Sequence, residues 1–194
     1  MNRTRSLKGR RTSYTLVEML IVIALLGLAA TLLIPNLVGQ DIMSAQTVVR
    51  MIIGDLSFAQ SDALSHQEFR RVHFFDADGN GNAHGYCITR ITEGQLSAPF
   101  DDGSADYIRD PLAGGGVDGN YIVNITDDNR FDGVVISSVD IDGGGRDIQY
   151  DTIGGTVRSG NLPGLGGSIV VSSANVSYRI TIAAFTGKLT VQEL

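Results

Sequence analysis

Cysteine is almost missing from this chain of 194 residues; it occurs once, as Cys87. One thiol cannot close an internal disulfide, so any domain built here must be held by its core. Cys87 itself reads as a small buried apolar residue. Basic charge is scarce too. Five of the fifteen Lys and Arg lie within residues 1–13, which hold none of the twenty-one acids. That leaves ten basic against twenty-one acidic residues, a net charge of −11 from residue 14 onward, against −6 for the whole chain. A nucleic-acid groove needs a basic stripe, and this balance excludes one. Signatures of catalysis are missing as well. His66, His73 and His84 show no metal-ligand spacing, and no Ser stands in a motif with a His and an acid. The glycines at 114–116 and 143–145 open no helix and precede no Lys-Ser/Thr pair, so they form no phosphate loop. No internal repeat is visible. An enzyme is not expected, and no cofactor is implied.

What the chain has is a long apolar run at residues 14–34, YTLVEMLIVIALLGLAATLLI, with one charge, Glu18, a turn from its start. At ~1.5 Å rise per residue a helix of this length crosses a hydrocarbon core of ~30 Å. Arg3, Arg5, Lys8, Arg10 and Arg11 precede it with no acid among them. By the positive-inside rule that leader stays cytoplasmic and everything beyond residue 34 is exported. A secretory signal peptide fits poorly, because its apolar region is shorter and ends in a small-residue cleavage site. A carboxylate inside an apolar helix costs ~2.5–3.5 kcal/mol near the bilayer centre. The free N–H groups of a helix start offset part of that cost, as would a free amine created by cutting at Tyr14. The competing reading places Glu18 at the headgroups, reaching water.

Residues 36–66 continue in helical rhythm. Val38, Ile42, Ala45, Val49, Ile52, Leu56, Ala59 and Ala63 recur at steps of three or four and form one stripe. Gln40, Ser44, Thr47, Arg50 and Gln60 fall largely away from it. Pro35 has no N–H for the carbonyl of Thr31, which predicts a bend there rather than a stop. One helix from residue 14 to about 66 is expected, its first half in the membrane and its second half on a sheet.

From Phe69 the period changes to two, within a β domain expected over 67–194. Strands are expected at 69–75, 85–92, 121–126, 134–141, 147–151, 168–173, 177–184 and 188–192, separated by Asp/Gly/Asn clusters typical of antiparallel hairpins. Residues 94–120 are rich in Gly and Asp and poor in strand formers, so they read as a long, mobile surface loop. Asp76, Asp78, Asn80 and Asn82 alternate around Gly79 and Gly81 like the first half of a calcium loop. The closing acid is missing, since the twelfth position is Cys87, and a hairpin turn is the simpler reading. The fold class expected is α+β, a long helix packed on an antiparallel sheet.

The leader, the small Ser13, the aromatic Tyr14 and TLVEMLIVIALLGLAATLLIPN together resemble the processing segment of type IV prepilins and type II secretion pseudopilins. That resemblance implies a cut by prepilin peptidase between Ser13 and Tyr14, methylation of the new amine, and Glu18 as the assembly carboxylate. Pro35 matches the helix-kinking proline of many members. The residue before the cut is usually Gly in that family and is Ser13 here. Many pilins staple a loop with a disulfide, which this chain cannot do.

LSFAQSDALSHQEFRRVHFFDADGNG and SYRITIAAFTGKLTV are similar to the helix end with first hairpin and the closing hairpin of H-type minor pseudopilins and their FimT-like pilus relatives. Residues 94–165 carry no signature of this kind. The resemblance implies a non-catalytic minor pseudopilin of a type II secretion filament. Its partners would be other pseudopilins or pilins, the prepilin peptidase and the inner-membrane assembly platform. A minor pilin of a type IV pilus and a signal-anchored periplasmic binding module are the alternatives. The place implied is the inner membrane, with one span and a periplasmic β domain.

Overall fold

The computed structural model describes residues 14–76, 83–111, 119–126 and 128–194, with the side chains of 30–40 and 76 outside the description. Contacts divide the chain into two units, residues 1–39 and 40–194. Helix α1 (Leu16–His66) begins in the first and ends in the second. Its assignment passes through Pro35 without a stop. The bend expected at Pro35 lies outside the described residues.

In the first unit the large apolar side chains from Leu16 to Leu28 are 45–81% exposed. A helix that is apolar all round and covered by nothing suits hydrocarbon rather than water. This stretch fits a transmembrane anchor. Asp41–His66 is also apolar enough by composition to cross a membrane. Its stripe is already used, however, because Ala45, Val48, Val49, Ile52, Leu56, Ala59 and Ala63 are buried in the domain core.

The second unit is α+β. The end of α1 is set by Gln67, which takes φ 54° while the Glu68 N–H donates to the Ala63 carbonyl at 3.2 Å. This is a Schellman arrangement built on Gln where Gly is usual. Eleven strands follow among the described residues: β1 (Phe69–Asp76), β2 (Ala83–Ile91), β3 (Asp106–Tyr107), β4 (Ile122–Asn124), β5 (Val135–Ile141), β6 (Asp147–Tyr150), β7 (Thr156–Arg158), β8 (Leu162–Pro163), β9 (Gly167–Ser172), β10 (Ser177–Ile182) and β11 (Leu189–Glu193). They form one sheet in the order β11-β10-β9-β5-β2-β1-β6-β7-β8, with β3 and β4 also paired to β2. Every pairing is antiparallel. Alternation explains the layering: Tyr178, Ile180 and Ile182 of β10 face the core while Arg179 and Thr181 face water. Gly85 is required where β4 crosses β2, because a Cβ there would stand 2.1 Å from the Val123 carbonyl oxygen.

Two features were not expected. Residues 94–120 are anchored where they are described. Leu96 and Ile108 are buried, and β3 pairs with β2. Arg71 donates to the Gln95 and Ala98 carbonyls at 2.6 and 2.9 Å. Gln149 donates to the Leu96 carbonyl at 3.1 Å. Buried donors thus hold 95–98, and pairing with β2 holds 106–108. Second, the sheet curls until its two ends meet. The Phe185 N–H, in the turn after β10, donates to the Gly164 carbonyl at 3.1 Å, and the Thr156 N–H of β7 donates to the Phe185 carbonyl at 2.9 Å. These bonds hold Phe185 at φ 65°, a conformation a bulky side chain adopts only under constraint.

Candidate functional site

The start of α1 is built by its own sequence. Thr15 precedes the helix and its hydroxyl accepts the Glu18 N–H at 3.2 Å, while its carbonyl accepts the Met19 N–H at 3.2 Å. Thr15 is thus the cap and Glu18 the third helical residue, the T-x-x-E spacing of a capping box. Glu18 consequently sits in the first turn, where free N–H groups favour a carboxylate. Among the described residues nothing bonds its side chain. Tyr14 is exposed one residue before the cap. Ser13 and the basic leader lie outside the described residues, as does the geometry of the expected cut. The sequence reading did not use Thr15, although its spacing from Glu18 was legible.

The other candidate residues are scattered. Asp78, Asn80 and Asn82, and the side chain of Asp76, lie outside the described residues. Among the described residues no three His, Cys, Asp or Glu stand together to hold a metal. His73 and His84 flank the Phe75 ring, and His66 stands elsewhere at the end of α1. The His73 Nδ1 lies 2.6 Å from an Asp147 carboxylate oxygen and its ring stacks on Phe100 at 4.0 Å. The His84 ring stacks on Phe75, and His66 lies against Asp62. Cys87 is buried, which pushes its thiol up to about 12 and leaves it unreactive near neutral pH.

What the sequence did not reveal is a row of polar anchors on the sheet-facing side of α1. The Gln46 amide donates to the Tyr178 hydroxyl at 3.0 Å. Asp55 accepts the Tyr86 hydroxyl on one oxygen and the Tyr121 hydroxyl on the other, the latter at 2.9 Å. Burial raises the Asp55 carboxyl above its ordinary range, the two phenols pull it back, and Asp110 raises it further. The same burial, with Asp55 beside it, holds the Tyr86 phenol well above its usual value. Gln60 donates to the Gly154 carbonyl at 2.6 Å and the Thr186 carbonyl at 3.0 Å, so one amide ties the two ends of the curled sheet to the helix. Asp62 accepts the Nε of the fully buried Arg70 at 2.5 Å. These side chains break the apolar period and attach the helix to the sheet.

The family model of the prokaryotic N-terminal methylation motif matches residues 8–34. The match supports a type IV prepilin-like N-terminus, of the kind that prepilin peptidase processes and that assembles into filaments. It takes in the end of the leader from residue 8, Tyr14, Glu18 and the apolar run to residue 34, and stops before the β domain begins. No curated protein and no solved structure matches the chain.

Proposed function

We propose that this chain is a non-catalytic minor pseudopilin, a subunit at or near the tip of a type II secretion filament. The observation that carries the reading is one coincidence at the N-terminus. The methylation motif spans the junction at which a basic leader gives way to an uncovered apolar helix, and Glu18 lies in that helix's capped first turn. The leader stays in the cytoplasm, the helix crosses the inner membrane, and residues 40–194 stand in the periplasm. Prepilin peptidase cuts before Tyr14 and methylates the new amine. Other pseudopilins and the assembly platform are then the partners. Calcium ordering of the Asp76–Asn82 turn remains a minor proposal, supported only by its oxygen-rich spacing.

The same motif supports a minor pilin of a type IV pilus as the second reading. DNA capture by such a pilin is disfavoured, because ten basic residues against twenty-one acids cannot neutralise a phosphate backbone. Mass spectrometry of the full chain from cells with and without prepilin peptidase tests the processing. We expect a methylated N-terminus at Tyr14 only where the peptidase is present; an identical terminus in both strains leaves the signal-anchored module instead. Deleting the gene then separates the machines, since loss of secreted proteins with pili intact marks the secretion filament.

A further inference from the structure

Two pairs of rings meet at a corner of the β domain. Phe100 stacks on His73, with 4.0 Å between centroids and 8° between planes. Phe75 stacks on His84 at 5.9 Å and 13°. The pairs stand nearly at right angles, since Phe75 meets Phe100 at 72° and His73 at 77°. The corner is fixed from behind, where the His73 Nδ1 lies 2.6 Å from an Asp147 carboxylate oxygen on the neighbouring strand. Phe75, His84 and Phe100 line a cavity of about 380 Å³, and Ile122, Val123 and Asn124 of β4 form another wall. One carboxylate, Asp102, completes the lining and is exposed to solvent. The Tyr107 hydroxyl donates to its Oδ1, while its Oδ2 has no hydrogen-bond partner among the described residues. Asp101 beside it is taken up by its own turn, accepting the Gly103 N–H at 3.3 Å and the Ser104 hydroxyl at 2.7 Å.

We infer that this corner docks an arginine side chain of a partner polypeptide, stacked against the rings and paired with Asp102. Charge argues for a cation from outside. Residues 40–194 hold twenty acids, the twenty-one less Glu18, against ten Lys and Arg, and among the described residues none of the ten lines the cavity. A neutral apolar group would cover the Asp102 carboxylate without pairing it, whereas a cation meets both the ring faces and the charge. Shape argues for guanidinium. It is planar, stacks on aromatic rings and offers a carboxylate two parallel N–H donors, while an ammonium is a strongly hydrated point charge. The chain makes the same combination elsewhere, where the Arg130 guanidinium lies 5.3 Å over the Phe131 ring and donates to Asp128 at 2.6 Å. Because the carboxylate is exposed, a side chain can enter beside it while its backbone stays outside. The site lies wholly within the β domain and does not rest on the filament reading.

Amide NMR of the full chain in detergent micelles tests it, with the blocked tripeptide acetyl-Gly-Arg-Gly-amide as the probe. Its lysine and phenylalanine counterparts and free arginine serve as comparisons. We expect saturable shifts at Phe75, His84, Phe100 and Val123 with the arginine peptide, weaker binding of the lysine peptide, and none of the phenylalanine peptide. Phe100→Leu and Asp102→Asn should each weaken the arginine peptide about two- to fivefold, with the core resonances of Ile148 and Ile180 unmoved. Asp102→Asn leaves the rings in place, so it decides the matter if Phe100→Leu disturbs the fold. No saturable shift, equal binding of the lysine or phenylalanine peptide, or unchanged affinity in Asp102→Asn would overturn the assignment. Tighter binding of free arginine than of the blocked peptide would overturn it too, by making the corner an amino-acid site. None of these outcomes bears on whether Tyr14 is the processed terminus.

Discussion

Asp55 shows how a residue can oppose the pattern around it and still be needed. It interrupts the apolar face of α1 where an aliphatic side chain would bury more surface, yet two phenols depend on it. Removing it by an apolar residue leaves the buried Tyr86 hydroxyl unpaired, at a cost of ~1–3 kcal/mol. Replacing it by Asn keeps an acceptor and removes the charge, which isolates the electrostatic cost of burial. The folded carboxyl lies above the unfolded value of 3.8, so the folded state binds the proton more tightly. Its contribution to stability is therefore fully present below pH 3.8 and is lost as pH rises through the folded value. The stability of the native chain minus that of Asp55→Asn should accordingly increase on acidification from pH 7. Urea titrations of both proteins across that range measure it, and a flat difference means the carboxylate is not desolvated. Gln60 is a residue of the same kind, polar by composition and internal by position.

At the scale of elements, the helix and the longer strands were legible because their side chains alternate with a definite period. The eight expected strands appear with their ends shifted by at most two residues. Strands β3, β7 and β8 were not legible, because their two or three residues lie among Gly, Asp and Asn with no alternating neighbours to extend the period. They exist because neighbours hold them, as the Gly164 N–H does on the Thr156 carbonyl at 2.8 Å. The processing segment was readable for a different reason: it is local, with Ser13, Tyr14 and Glu18 at fixed spacing. The anchors at Gln46, Asp55 and Gln60 were not, since each is defined by partners distant in the sequence. Gln60→Leu probes how far elements depend on such a partner. It removes two hydrogen bonds to carbonyls of opposite sheet ends while keeping the side chain's bulk. We expect a loss of about 1–3 kcal/mol, with faster amide exchange at Thr156 and Phe185 than at Ile180 or Ile88. Uniform acceleration would mean that Gln60 supports the whole core rather than the closure of the curled sheet.

For the whole molecule, an acidic β domain and an apolar anchor pose the question of what Glu18 contributes once subunits meet. In a single subunit its carboxylate, in the first turn that Thr15 caps, can be met by water at the headgroups. In a filament the anchors pack side by side and the medium around them becomes drier. An unpaired charge there costs several kcal/mol, and the methylated amine of a neighbouring subunit would offset much of it. The pair would then set the axial register between one subunit and the next. Glu18→Ala removes the carboxylate without touching the Thr15 hydroxyl or the Glu18 backbone N–H that bonds it, so helix start, insertion and cleavage should persist. Entry into the filament should not. Breaking a buried pair costs ~3–5 kcal/mol, so the fraction crosslinked to neighbouring filament subunits should fall about tenfold or more at equal protein levels. Glu18→Gln should assemble better than Ala but below the native chain, because it keeps hydrogen bonding and loses the charge. If Glu18→Ala crosslinks and supports secretion as the native chain does, the carboxylate sets no register, and its role ends at the headgroups.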